Sequence, residues 1–286
     1  IVTCDAEAIR DAYPNLIRAT ASPVIDTSCA ALFSLAAEVR RQGYKVTLTG
    51  EGADEAFAGY VWFKTGAFEQ KHDRPGFRPS RLSNRMLRKL TSPARPWRDI
   101  LREDELSGGP LAQTLLYNLV GRSRYMYFSR ETKALLKGYS GYEDFPLDVE
   151  RMKRWHPLNQ ALYLCYKVHL PGLLLNHKGD RIAMANSVET RYPFLDNGVI
   201  EAAARIHPEL KLKGRKQDKL LLRKAAERLL PHEVAWRPKG MFRAPFAESF
   251  VESPPKYVEH LMSVESLART GYFDVIAVRR DYERFV

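Results

Sequence analysis

The run Tyr44–Thr49 (YKVTLT) limits the fold more than any other part of this sequence. It is rich in β-branched residues, it follows a helical pattern, and it ends on glycine. Upstream, Asp26 and Thr27 offer an N-cap, Leu32, Leu35, Ala36 and Val39 recur at helical spacing, and Gly43 stands where such a helix closes. Downstream come Gly50-Glu51-Gly52 and then, from Asp54, a second helical pattern. Helix, strand, glycine turn and helix make the repeating unit of a parallel α/β sheet. Ile1-Val2-Thr3 reads as another strand, already under way at the first residue.

The pattern changes after Gly59. Pro75, Pro79, Pro93 and Pro96 punctuate a basic stretch that predicts loop and short helices up to about Glu150. Longer helices are predicted over Leu111–Arg130 and Arg151–Val168, the second with Leu162, Cys165, Tyr166 and His169 on one side. Leu173–Ala185, Asn197–Ile206 and Lys216–Leu230 follow, the last closed by Pro231. The expectation is an α/β chain with few strands followed by a predominantly helical body, divided as 1–62, 63–150 and 151–286.

The remaining composition narrows the class. A chain of 286 residues that is 45% hydrophobic and 28% charged is ordinary globular material for one large or two average domains. The longest apolar runs, such as Leu173–Leu175, are far from the roughly 18 residues of a membrane span, and no signal peptide is visible. Three cysteines (Cys4, Cys29, Cys165) without a close pair exclude a disulfide framework and a CxxC metal site, so a reducing, cytoplasmic location is expected. A formal charge of +11 is compatible with nucleic acid, an anionic surface or a nucleotide. The clusters Arg81–Lys89 and Lys211–Lys219 lack the interleaved aromatic residues of a stacking platform, which argues against nucleic acid.

Three segments carry candidate chemistry. In TLTGEGADEAFAGY (Thr47–Tyr60) two glycines flank Glu51 at the carboxyl end of a strand, the edge where open α/β sheets bind ligands. Asp54 and Glu55 open the next helix, and three acids beside a phosphate loop would repel it unless Mg²⁺ sat between them. The plainer alternative is a glycine turn followed by ordinary first-turn acids. In KGDRIAMANSVETRYPFLD (Lys178–Asp196), Asp180, Arg181, Glu189 and Arg191 lie among apolar residues, which predicts internal ion pairs: Asp180 with Arg181 or Arg191, and Glu189 with an arginine. In WRPKGMFRAP (Trp236–Pro245), Lys239 sits in a Pro/Gly-framed loop, suited to neutralising charge on a transferring phosphoryl group. Taken alone it is a solvated loop lysine.

Together with DKLLLRKAAERLLP (Asp218–Pro231), these segments stand in the order seen in glutamine-dependent asparagine synthetases, and the chain resembles the carboxyl-terminal synthetase domain of that family. The resemblance runs from about Val24 to Ser249 and implies an ATP-pyrophosphatase-type α/β fold, a parallel sheet of the adenine-nucleotide α-hydrolase-like kind. It implies ATP and Mg²⁺ as cofactors, aspartate as the carboxylate adenylated with release of pyrophosphate, and glutamine-derived ammonia as the nucleophile. Matched position by position, Thr49, Gly50 and Gly52 fall on the ATP-contacting strand end. Glu51 matches the glutamate that governs adenylate formation and takes a proton from the amine, and Asp54 a Mg²⁺ ligand. Lys239 matches the lysine that steadies the phosphorus centre, and Asp180 and Glu189 positions lining or bracing the substrate pocket.

The sequence also departs from that family. Nothing corresponds to an amino-terminal cysteine nucleophile with its glutaminase domain, or to an SGGxDSS pyrophosphate loop; Ser107-Gly108-Gly109 is followed by Pro110-Leu111 and reads as a decoy turn. The expectation is the carboxyl-terminal part of a longer synthetase, inactive or nearly so alone, with a homodimer left open. Two alternatives remain. One is a relative that amidates or cyclises another carboxylate (a β-lactam, peptide or sugar), against which Glu51 weighs because lactam-forming relatives tend to change that position. The other is a basic, non-catalytic helical binding module.

Overall fold

The computed structural model describes residues 1–70, 79–93, 95–214, 217–240 and 242–286. Pro75 and the expected helix start at Lys216 lie outside the described residues.

The amino-terminal strand does not form. Residues 1–5 are irregular, and Ala6–Thr20 is a helix, α1, with Asp5 as N-cap accepting a hydrogen bond from Ala8 N at 2.9 Å. Pro14 inside α1 masks the helical signal, yet Ile9, Leu16 and Thr20 still share one buried face. The expected helix follows as α2, Ser28–Arg41. Asp26 accepts from Ser28 N at 2.9 Å, while the Thr27 hydroxyl donates across the fold to Ala244 O. Ile9, Leu16, Val24, Cys29, Ala30 and Ile182 join α1 and α2 to the helix Asp180–Ala185 in one core cluster.

Strand β1 (Val46–Leu48) lies in the expected run, and α3 (Ala53–Phe57) follows the glycine turn. Among the described residues the sheet has two strands. β2 (Glu189–Arg191) pairs parallel with β1, Val46 opposite Glu189 and Leu48 opposite Arg191. Val46 and Leu48 stay exposed, at 43% and 73%. This is an α/β fold in which most of the chain is helical.

Between Gly59 and Glu150 the expected loop and short helices are well-formed helices, α4 (Val61–Gln70), α5 (Pro79–Thr91) and α6 (Trp97–Ser107), and the helix expected over Leu111–Arg130 is α7 (Ala112–Tyr127). Pro79 begins α5 and Pro96 is the N-cap residue of α6, so these prolines mark helix starts rather than loop. Part of the basic cluster on α5 is internal. Arg88 is fully buried, 2.5 Å from Asp104 and 2.7 Å from Glu103, and Arg85 also reaches Asp104 at 2.5 Å. Ser107-Gly108-Gly109 is indeed a turn: Gly108 closes α6 in a left-handed conformation.

The two central helices also change form. The segment expected to run unbroken from Arg151 breaks after Met152 and resumes at Pro157, where His156 Nδ1 caps Leu158 N at 3.1 Å. From Cys165 to Gly179 the chain winds as a π-helix around Pro171, a form rarely longer than one turn, before tightening to α-helix at Asp180. Further on, the helix after Asp218 begins only at Leu220, because Lys219 adopts a left-handed φ of +49°, and it ends at Ala226.

Candidate active site

The site is assembled at the carboxyl end of β1. Thr49 continues the ladder, its N–H donating to Arg191 O at 2.9 Å, and its hydroxyl oxygen is buried with no hydrogen bond among the described residues. Gly52 takes the N-cap position of α3 at φ +94°, where a β-carbon would collide with the Leu195 side chain. Leu195 belongs to the YPFLD motif, so the close approach at Gly52 locks the two segments together. Gly50 is exposed beside it.

Glu51 is partly buried in that turn, and its carboxyl is pushed above the usual range. Burial is the largest cause and the Glu55 charge the next; Lys178 and Lys239 pull the other way, with Asp54 adding to the rise. Lys178 comes from the π-helix and is held 2.6 Å from Asp26 at the foot of α2.

Asp54 is the meeting point of the motifs. Its Oδ1 lies 2.6 Å from Lys239 Nζ and 2.9 Å from Lys219 Nζ. Gly59 makes room for this: a β-carbon there would collide with the Asp54 carboxylate and the Lys219 stem. Lys239, Lys219, Arg223 and Arg237 line a cleft of about 360 Å³ that also contains Asp218. Asp218 is bound by Lys64 and by Arg223 at 2.6 Å. Burial would raise its pKa, yet these two cations hold it below the usual range. Arg223 also donates to Ala235 O and Arg237 O, which fixes the start of the loop carrying Lys239.

The second segment is placed differently from expectation. Asp180 pairs with neither arginine; its Oδ1 accepts from Thr190 Oγ1 at 2.9 Å and Tyr192 OH at 2.8 Å. Arg181 donates instead to Thr20 O. Glu189 does pair with Arg191, at 2.7 Å, but both side chains are more than half exposed, so the pair is not internal. The fold brings Thr49, Gly50, Glu51, Gly52, Asp54 and Lys239 together. Asp180 stands behind them at the start of its helix, and Glu189 lies outward on β2.

Lys219 and Tyr60 belong to the assembly and were not singled out by sequence. The DKLLLR segment holds Lys219 in plain view, but only its left-handed backbone turns it toward Asp54.

The family profile described as asparagine synthase matches residues 1–284. The chain belongs to the asparagine synthase family. It is 27% identical to a protein named amidase chyE of Penicillium rubens over 99% of this chain and 44% of that protein. To amidase chry2 of Gibberella zeae it is 26% identical, over 96% of this chain and 43% of the relative. To the glutamine-hydrolysing asparagine synthetase 1 of Bacillus subtilis it is 28% identical, over 90% and 39%. The chain thus spans less than half the length of these relatives. No solved structure matches it.

Asparagine synthase family membership agrees with the two-stranded parallel sheet flanked by helices and with the adenine-nucleotide α-hydrolase-like expectation. A resident metal centre is a different matter. Among the described residues no three His, Cys, Asp or Glu side chains converge on one point, and Asp54 is already met by two ammonium groups. These residues do not form a cage for Mg²⁺ by themselves. No helix among the described residues is long and apolar enough to cross a membrane.

Proposed function

We propose that this chain carries part of the adenylating site of an ATP-dependent amide ligase, with the aspartate side chain as acceptor and glutamine-derived ammonia as nucleophile. The observation that carries the reading is the convergence of Glu51, Asp54 and Lys239 from two distant motifs at the carboxyl end of β1. In the first step a carboxylate oxygen attacks the α-phosphorus of ATP, the bond to the bridging oxygen breaks, and pyrophosphate leaves. In the second, ammonia adds to the acyl carbon, AMP leaves with the carbon–oxygen bond electrons, and Glu51 takes a proton. A base with a raised pKa suits that proton transfer near neutral pH.

Lys239 supplies positive charge to the phosphorus centre, and the cleft with Lys219 and Arg237 extends that charge toward the departing pyrophosphate. Magnesium enters as part of the substrate, on the ATP phosphates. Asp54 is the residue that would meet it, with Lys219 and Lys239 pairing with phosphate oxygens in place of the carboxylate. Thr49, Gly50 and Gly52 offer the strand-end backbone to the nucleotide, and Asp180, through Thr190 and Tyr192, braces the pocket wall.

A second reading concerns the acceptor. Relatives named amidases match nearly the whole chain, and that name does not specify aspartate, which leaves room for another carboxylate as acceptor. ATP–pyrophosphate exchange measured with aspartate and with a panel of other carboxylic acids separates the two. Exchange stimulated by aspartate alone supports asparagine formation, and stimulation by another acid alone moves the reading to that acceptor.

A further inference from the structure

Tyr60 ends the Thr47–Tyr60 segment and does two things at once. Its hydroxyl donates to Glu55 Oε1 at 2.6 Å, and Glu55 has no exposed surface. Its ring face lies under Lys239, with Nζ 4.5 Å from the ring centroid. The ring is fixed on its other sides: it stacks on Trp62 at 4.1 Å and 11° and meets the His169 ring edge-on at 5.5 Å.

Resting on the reading of Lys239 given above, we infer that Tyr60 is a positioning residue for Lys239, its Glu55-anchored ring holding the ammonium in place for phosphate. Lys239 sits on an irregular, exposed loop, which by itself would leave a four-carbon stem free to swing. Asp54 limits that motion but divides its Oδ1 between two lysines. A ring face attracts an ammonium without using its N–H donors, so the three protons of Lys239 stay available to oxygens. His169 supports the arrangement. Burial and the Lys178 charge lower its pKa to about 4, so near pH 7 the ring beside Tyr60 is neutral and does not repel Lys239. Glu55 is pushed upward, chiefly by burial, and the short bond to Tyr60 keeps the ring from rotating.

Two measurements test this. In the chain carrying ¹³C-dimethylated lysines, with the Lys239 signal assigned by Lys239→Arg, the Lys239 methyl resonance should be shifted upfield by the ring. The shift should persist in Tyr60→Phe and vanish in Tyr60→Leu. In the longest polypeptide that the gene encodes, Tyr60→Leu should lower kcat for ATP–pyrophosphate exchange about tenfold, with KM for ATP little changed, and Tyr60→Phe should recover to within about threefold. An unshifted Lys239 resonance in the unsubstituted chain overturns the inference, even if Tyr60→Leu fails to fold. Loss of exchange in Lys239→Ala with full exchange in folded Tyr60→Leu overturns the inference alone. Full exchange in Lys239→Ala overturns the reading of Lys239 and the inference with it.

Discussion

Lys239 Nζ stands 2.6 Å from Asp54 Oδ1, which joins the loop after the short helix His232–Ala235 to the first turn of α3. Both side chains keep about a quarter of their surface in water, 30% and 23%. Asp54 keeps Lys219 when Lys239 is removed, so the loss of this partly solvated pair should cost little, about 1 kcal/mol. Lys239→Ala is expected to leave the thermal midpoint nearly unchanged while reducing ATP–pyrophosphate exchange by about 10²-fold or more. Calorimetry beside exchange kinetics checks both halves. A large drop in midpoint would make the lysine structural.

Gly59→Ala provides a test from the backbone side. The added β-carbon meets the Asp54 carboxylate and the Lys219 stem, so the acid must leave its place. The expected cost is about 1–3 kcal/mol in chemical denaturation, with exchange lost alongside. An alanine variant with unchanged stability and rate would show that Asp54 need not sit where it does.

The raised carboxyls give a pH dependence with a defined sign. Glu51 and Glu55 have folded pKa values above their ordinary value of 4.5. Between the unfolded and the folded pKa the native state binds more protons than the unfolded chain, so their contribution to stability falls as pH rises through that window. Glu55→Gln keeps an acceptor for Tyr60 and removes the titration, so it should flatten the slope of midpoint against pH above 4.5. A slope unchanged in Glu55→Gln would place the effect elsewhere.

The ion cluster between α5 and α6 should behave as a buried network. Arg88 is fully buried against Asp104 and Glu103, so Arg88→Ala takes one of two arginines from each acid, leaving Asp104 to Arg85 and Glu103 to Arg95. The expected loss is about 3–5 kcal/mol, read by denaturant titration. A loss below about 1 kcal/mol would show that the cluster is solvated.

Much of this was legible in the sequence, for reasons that are local. The β-branched run became β1, and the acids at 54 and 55 opened a helix after a glycine turn. The parts that escaped depend on distance or on an unusual backbone. β2 is three residues long, and its partner lies on the far side of the helical region, so no periodicity announces it. The π-helix obeys no residue rule, and Pro14 hid α1. Asp180 was expected to need an arginine because it lies among apolar residues; two hydroxyls, from Thr190 and Tyr192, satisfy it instead. Lys219 and Tyr60 became visible only as neighbours of Asp54 and Lys239.

Glu51 is proposed to serve the transfer of ammonia to an activated carboxyl. The most direct measurement is the pH profile of ammonia-dependent amide formation, with ATP and the preferred acid, in the longest polypeptide that the gene encodes and in its Glu51→Gln variant. The account predicts that activity rises with pH through an apparent pKa above the ordinary carboxylate range, and that Glu51→Gln abolishes amide formation and with it that limb. Amide formation in Glu51→Gln at the unsubstituted rate and with the same pH profile would contradict it.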